Sequence, residues 1–427
     1  MTEPRRPYYG WWMIAGLSLT EPVSWGVLIY AFSVFVVPMH AELGWAPAEL
    51  NGGYTAGVAV SGLVAIPVGR WLQRHGARGL MTAGSVLTVL ALLGWSQTRS
   101  LPVFYGCFLV AGLAMATTLY EPAFALTAAW FHRLRARAVL ILTIAGGLGS
   151  TIFVPLTGAL VSAQGWRNAL LTLAGIVAVV TIPVHALVLR RWPADLGLHP
   201  DGASHADTAA PVSHPAGQRR CILRSSSFRW ITLSMVTHET GKWAVSVTLV
   251  VYLTSRGYPL GLATALAGSV GGLQVIGRVL STWLQPRIPQ HRTAIILFTA
   301  QGIALPIPLL TSGHGSLATV TIGVLLVFFG LGFGLTDLMR GTLVADYYGS
   351  AAYASINGVL STFVVAARTA GPLLAGLVAT LAHATAPVLA TAALLSLIGA
   401  YALHRAHHTR TGEDIPGLEE HRRQIMR

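Results

Sequence analysis

Residues 9–38 read YGWWMIAGLSLTEPVSWGVLIYAFSVFVVP, and residues 228–254 read FRWITLSMVTHETGKWAVSVTLVVYLT. Each run is longer than the ~20 residues that an α-helix needs to cross a bilayer. Each carries the same polar pattern: Trp12, Glu21 and Trp25 in the first, Trp230, Glu239 and Trp243 in the second. The spacings are identical, nine residues and then four. A carboxylate inside a membrane span is expensive, so its recurrence in the same frame carries weight. The match predicts an internal repeat with an offset of 218 residues.

The offset persists along the chain. Trp71-Leu72-Gln73 recurs as Trp283-Leu284-Gln285, at 212 residues, and Glu121 and Phe131 match Asp337 and Tyr347, at 216. Apolar runs at roughly 9–38, 50–72, 79–97, 101–130, 138–163, 168–190, 228–254, 260–284, 292–312, 315–340, 352–381 and 384–404 give twelve spans. The predicted fold is an all-α membrane protein with twelve transmembrane helices in two pseudo-symmetric six-helix bundles, 1–190 and 228–404. A polar, Pro/His/Ala/Ser-rich linker, 191–227, joins them, and a charged tail, 405–427, follows. Parallel repeats of this kind place substrate near mid-membrane between the halves.

Composition agrees. Of 427 residues, 53% are hydrophobic and 10% charged, where soluble proteins carry charge at about a quarter of positions. The net charge of +13 does not indicate nucleic acid, because the basic residues fall in short clusters between apolar runs. One side holds Arg5 and Arg6; Arg70, Arg74 and Arg78; Arg133, Arg135 and Arg137; Arg190, Arg191, Arg219, Arg220 and Arg224; Arg287 and Arg292; and Arg405 onward. The other holds Arg99, Arg167 and Arg256. The excess predicts that this side, with both termini, is cytoplasmic, and the use of Arg with a single Lys, Lys242, suits a bacterial inner-membrane protein. The run Arg133, Arg135, Arg137 reads as topology and anionic-lipid contact. Cys107 and Cys221 make neither a disulfide framework nor a metal site. No cleavable leader is evident at Met1–Pro7. The motifs G-x-x-x-x-G-K-[ST], H-E-x-x-H and G-x-S-x-G are missing, so neither ATP hydrolysis nor another enzyme activity is expected, and no cofactor or metal is called for.

Three patterns resemble the major facilitator superfamily. Gly69-Arg70-Trp71-Leu72-Gln73-Arg74-His75-Gly76-Ala77-Arg78 resembles its gating loop between helices 2 and 3, with Gln73 where an acid is usual. Gly146, Gly147, Gly149 and Pro155 resemble its Gly/Pro-rich helix 5, where small residues let helices approach. Tyr9-Gly10-Trp11-Trp12, and Trp130-Phe131 followed by Arg135, Arg137, Ala145-Gly146 and Gly149, resemble the monocarboxylate transporters and oxalate/formate exchangers. Arg278 falls where that branch carries a helix-8 arginine. Gln274 stands where its better-known members have an Asp, and Tyr30 where they have a helix-1 Lys. Both missing residues are implicated there in proton-linked transport. The resemblance implies a carrier of small organic anions, with a monomeric functional unit.

The candidate site residues follow from chemistry. Arg278 and Arg368 would bind a substrate carboxylate through their planar forks, with Tyr30, Tyr120 and Gln274 as neutral donors. Against this stand a permanent pairing of Arg278 with a protein acid, or its snorkelling to the inner interface, and an ion pair of Arg368 with Asp337 or Glu239. Glu121, Glu21, Glu239, His238 and Asp337 are proton-coupling candidates, Glu121 first because it lacks a local cation. Lys242 lies one turn after Glu239, and a structural Glu239–Lys242 pair is expected. The functional expectation is a secondary active transporter of a mono- or dicarboxylate, ion- or proton-coupled, working by alternating access. Two rivals stand beside it: a drug or natural-product exporter of the same fold, and a membrane ligand sensor that transports nothing.

Overall fold

The structure, a computed structural model, describes residues 8–202, 221–284, 287–313, 315–348 and 350–410. Within these, the side chains of 73, 136, 282, 335, 337–346, 348, 350–355, 357, 358 and 410 are outside the description. The described residues are almost wholly helical and contain no strand.

Among the described residues, twelve helical segments follow one another. α1 is Tyr9–Leu43, α3 Ala77–Ser96 and α4 Leu101–Trp130. α2 covers 47–75 and bends by 43° near Val64. α5 (135–164) and α6 (166–187) are one continuous helical stretch broken at Gly165, whose φ of 77° suits glycine. α7 is Ser226–Ser255 and α8 Leu260–Leu284. α9 is Gln290–Leu310. α10 is Ser316–Tyr348, α11 Ser350–Leu381 and α12 Ala386–Arg410. The expected spans and these helices agree closely. α10 and α12 run past the expected ends at 340 and 404, so 405–410 belongs to a helix. Much of the linker, 203–220, and the tail beyond Arg410 lie outside the described residues.

Local chemistry explains the boundaries. Pro47 opens α2, and the Ala46 N–H donates to the Glu49 carboxylate at 2.7 Å. Ser225 caps α7 by accepting from the Phe228 N–H at 3.1 Å. Besides the bend in α2, two described helices are irregular inside. α1 passes through a π-turn at Gly26–Tyr30, just after Trp25, and α4 is interrupted at Leu119, which is extended.

The chain divides into two units. The first comprises Met1–Thr208 with Pro259–Gly271, the second Ala209–Tyr258 with Gly272–Arg427. In the first, Met13, Leu17, Met81, Trp130 and Phe131 form one core cluster, and the start of α8 packs on α5 where Gly268 meets Pro155. α2 meets α4 at Gly57 and Gly112: a Cβ on Gly112 would collide with the Gly57 carbonyl. In the second unit Phe228, Ile231, Met235, Phe298 and Tyr347 form the core. There α8 meets α10 in the same manner, since a Cβ on Gly334 would collide with the Gln274 carbonyl. Exposed Leu63, Ile66, Val179 and Leu381 suit surfaces bathed in hydrocarbon, where every backbone polar group is satisfied inside a helix.

Both ends of the first unit are tied by polar contacts. At the arginine-rich end, the Asp201 carboxylate accepts from the N–H groups of His132, Arg133 and Leu134 at 2.9, 2.7 and 3.2 Å. Burial pushes the Asp201 carboxyl up, but these three donors outweigh it and hold it below its ordinary value. Burial, then the Asp201 charge, push the neighbouring Tyr8 phenol up to about 12, and that hydroxyl donates to the Trp130 carbonyl at 2.8 Å. In the expected gating loop, Gly76 has φ 76° and leaves no room for a Cβ beside Arg191. Arg191 donates to the Arg74 carbonyl, Arg78 to the Ala186 carbonyl at 2.8 Å, and Gly69 and Arg70 carry no tight contact of this kind. At the opposite end Arg167 pairs with Glu42 at 3.0 Å and donates to the Ser96 and Thr98 carbonyls at 2.7 and 2.9 Å.

Candidate functional site

The repeated acids form matching local structures. In α1 the Trp25 indole N–H donates to Glu21 Oε2 at 3.0 Å, and in α7 the Trp243 indole N–H donates to Glu239 Oε2 at 3.0 Å. A spacing of four residues stacks the two side chains on one helix face, which makes the bond possible. The surroundings then diverge. Lys242 Nζ lies 2.6 Å from Glu239 Oε1, and Arg368 Nε reaches from α11 to Glu239 Oε2 at 3.1 Å. At the repeat offset of 218, Lys242 corresponds to Ser24. Glu21 is fully buried, and its Oε1 has no hydrogen-bond partner among the described residues.

Aromatic rings line both pairs. Tyr120 packs on Trp25 with ring centres 4.7 Å apart and stacks on Phe124 at 5.0 Å; its hydroxyl donates to the Thr143 carbonyl at 3.4 Å. Tyr30, at the end of the π-turn, lies 6.2 Å from Trp25. The structure thus brings the expected donors Tyr30 and Tyr120 to one tryptophan beside Glu21. In the second unit the Lys242 ammonium sits 4.7 Å from the Phe333 ring centre, and the Arg368 guanidinium 5.8 Å from that of Trp243.

Arg278 lies on α8. Its side chain is buried, and it donates to the Gly334 carbonyl at 3.3 Å and to Gln274 Oε1 at 3.4 Å. These anchor it to α10 and to its own helix. Arg368 is the more open of the two, with 18% of its side chain exposed. His238 is buried with its ring stacked on Phe298 at 3.7 Å. Glu121 sits in the first turn of the second part of α4 and is exposed. The Asp337 side chain lies outside the described residues.

Three contributors carry no site role in the sequence reading: Trp25, Trp243 and His185. Trp25 and Trp243 were readable, because an acid followed four residues later by a tryptophan occurs in both halves. His185 was harder: a lone histidine in an apolar run is more often a satisfied core residue. It bridges helices, with Nε2 3.0 Å from Thr20 Oγ1 and Nδ1 2.8 Å from Ser85 Oγ.

Comparison with known proteins now bears on this geometry. The family profile described as Major Facilitator Superfamily matches residues 23–372. Monocarboxylate transporter 13 of Bos taurus is 28% identical over 309 residues, covering 71% of this chain and 68% of the relative. Monocarboxylate transporter 1 of Rattus norvegicus is 22% identical over 411 residues, covering 86% and 78%. Among solved structures, a bacterial homologue of the human lysosomal transporter Spinster, inward-facing and unoccupied, superposes with a TM-score of 0.73 at 13% identity, over 96% of this chain and 99% of that one. The helical spans, the repeated acids inside them and the extent of the profile match agree: the chain is a transporter and belongs to the Major Facilitator Superfamily.

Proposed function

We propose that the chain is a secondary active transporter of a small organic anion, a mono- or dicarboxylate, working by alternating access and powered by an ion gradient. The observation that carries this reading is the pair of arginines placed inside spans of the second unit, Arg278 on α8 and Arg368 on α11. An arginine at such depth costs at least ~2.5 kcal/mol, and its planar fork is matched to a carboxylate. The Arg368 side chain is 18% exposed beside the Trp243 ring, and a solute carboxylate would take the place of Glu239 on its guanidinium. Gln274, which accepts from Arg278, positions that guanidinium. The relatives named monocarboxylate transporters support the same substrate class. The arginine distribution supports an inner-membrane location with both termini cytoplasmic.

The test is uptake of radiolabelled L-lactate and oxalate into proteoliposomes holding the native chain, Arg278→Ala or Arg368→Gln. The expected result is saturable uptake by the native protein, competed by short carboxylates and lost in both variants. Uptake unchanged in both variants overturns the anion-binding role. Competition by amphipathic drugs and not by carboxylates favours the exporter reading.

A further inference from the structure

The two halves place one carboxyl in equivalent positions and treat it in opposite ways. Glu239 shares its oxygens among an ammonium, a guanidinium and an indole N–H. Glu21 receives one indole N–H on Oε2, and its Oε1 is buried with no partner among the described residues. Glu21 lies twelve residues into α1, about 18 Å along the axis at 1.5 Å per residue, well inside a hydrocarbon core of about 30 Å.

A buried charge needs pairing, and one neutral donor does not supply it. The groups facing Glu21 from neighbouring helices add none. On α4, Glu121 is near enough for its charge to act on Glu21, and Tyr120 offers a ring to Trp25. On α6, His185 spends its ring nitrogens on Thr20, Ser85 and the Met81 carbonyl. On α5, Gly149 packs against the Pro22 carbonyl. Arg135 and Arg137 lie in the first turn of α5, where Arg137 covers Trp11, and Arg167 is bound to Glu42. No ion pair to Glu21 occurs among the described residues. A protonated carboxyl, by contrast, has one acceptor oxygen for the indole and one O–H.

We propose that Glu21 is the proton-binding group of the transport cycle, while its repeat mate Glu239 remains the ionised partner of Lys242 and Arg368. The proton adds to Oε1 from one aqueous side and leaves to the other, so the first unit carries the proton and the second holds the anion-binding cations. The π-turn at Gly26–Tyr30 begins one residue after Trp25, and such turns are frequent at functional sites. This inference rests on the transport reading above and adds the identity of the coupling site.

Two arms separate failure of the inference from failure of that reading. In proteoliposomes, labelled L-lactate and oxalate are followed under an inward proton gradient and in exchange at equal pH. Glu21→Gln is expected to lose gradient-driven uptake and keep exchange. Gradient-driven uptake retained in Glu21→Gln overturns the proposal. The second arm needs no substrate: infrared spectra of the purified full chain in lipid at neutral pH. The native protein is expected to show a protonated-carboxyl stretch that Glu21→Gln removes and Glu121→Gln keeps. Trp25→Phe, which leaves the carboxyl in place, is expected to shift that band to higher frequency by removing its hydrogen bond. Absence of the band in the native chain, or no shift in Trp25→Phe, overturns the assignment even if neither probe is carried.

Discussion

Glu239 accepts from Lys242, Trp243 and Arg368, and Arg368 comes from α11, far away in sequence. Breaking a buried pair by removing one partner costs about 3–5 kcal/mol. Glu239→Gln takes away the acid that Lys242 and Arg368 share and is expected to cost that order of stability. Lys242→Met leaves Arg368 on Glu239 and is expected to cost clearly less. Thermal denaturation in detergent, followed by tryptophan fluorescence, checks the order; equal losses would show that the two cations do not share one counter-charge. The local part of this cluster was legible, because Glu239 and Lys242 are one turn apart. The arrival of Arg368 at Glu239 and not another acid was not, since it depends on how α7 and α11 pack. Nor could sequence separate Glu21 from Glu121. Both lack a neighbouring cation along the chain, and only burial distinguishes them.

Among helices, close contacts are built on glycine between corresponding helix pairs: Gly57 with Gly112 between α2 and α4, and Gly334 against Gln274 between α8 and α10. In each case a Cβ meets backbone, which has no rotamer to yield. Gly112→Ala and Gly334→Ala are expected to destabilise by about 1–3 kcal/mol, the range for overpacking. Gly175→Ala and Gly323→Ala, where nothing lies within 4 Å, are expected to be neutral or stabilising by up to about 1 kcal/mol through helix propensity. Melting temperatures of the four variants provide the comparison. The number and limits of the helices were legible, because hydropathy sets them by length. The π-turn in α1 and the extended Leu119 in α4 were not. Both interrupt helices without changing the apolar pattern, so their cause lies in packing.

At the scale of the molecule, the twelve-helix fold with its internal repeat was readable from two tryptophan–acid–tryptophan patterns, but the bonds that secure its ends were not. Asp201, beyond the last helix of the first half, receives three backbone N–H groups from the α4–α5 connection. Its carboxyl is held below the ordinary value. It therefore stabilises the fold above the unfolded aspartate pKa, about 3.9, and that contribution fades as pH falls through the lower folded value. The melting-temperature gap between the native chain and Asp201→Asn is expected to be flat from neutrality to about that pH and to narrow below it. A gap independent of pH throughout would contradict the bonding seen here.

The π-turn also has a consequence for inheritance. It accommodates one residue more than an unbroken α-helix would. Deleting a single codon among 26–30 would remove that surplus and let α1 close into a regular spiral, so the residues beyond it keep their places. Deleting one among 32–41, in regular helix, would instead swing everything beyond it by about 100°, the rotation per residue. Glu42 would then face away from Arg167 and Trp166, which bind it now. A reading-frame-preserving loss of three bases is thus expected to be absorbed at the π-turn and, a few codons later, to undo a fastening at the far end of the same helix.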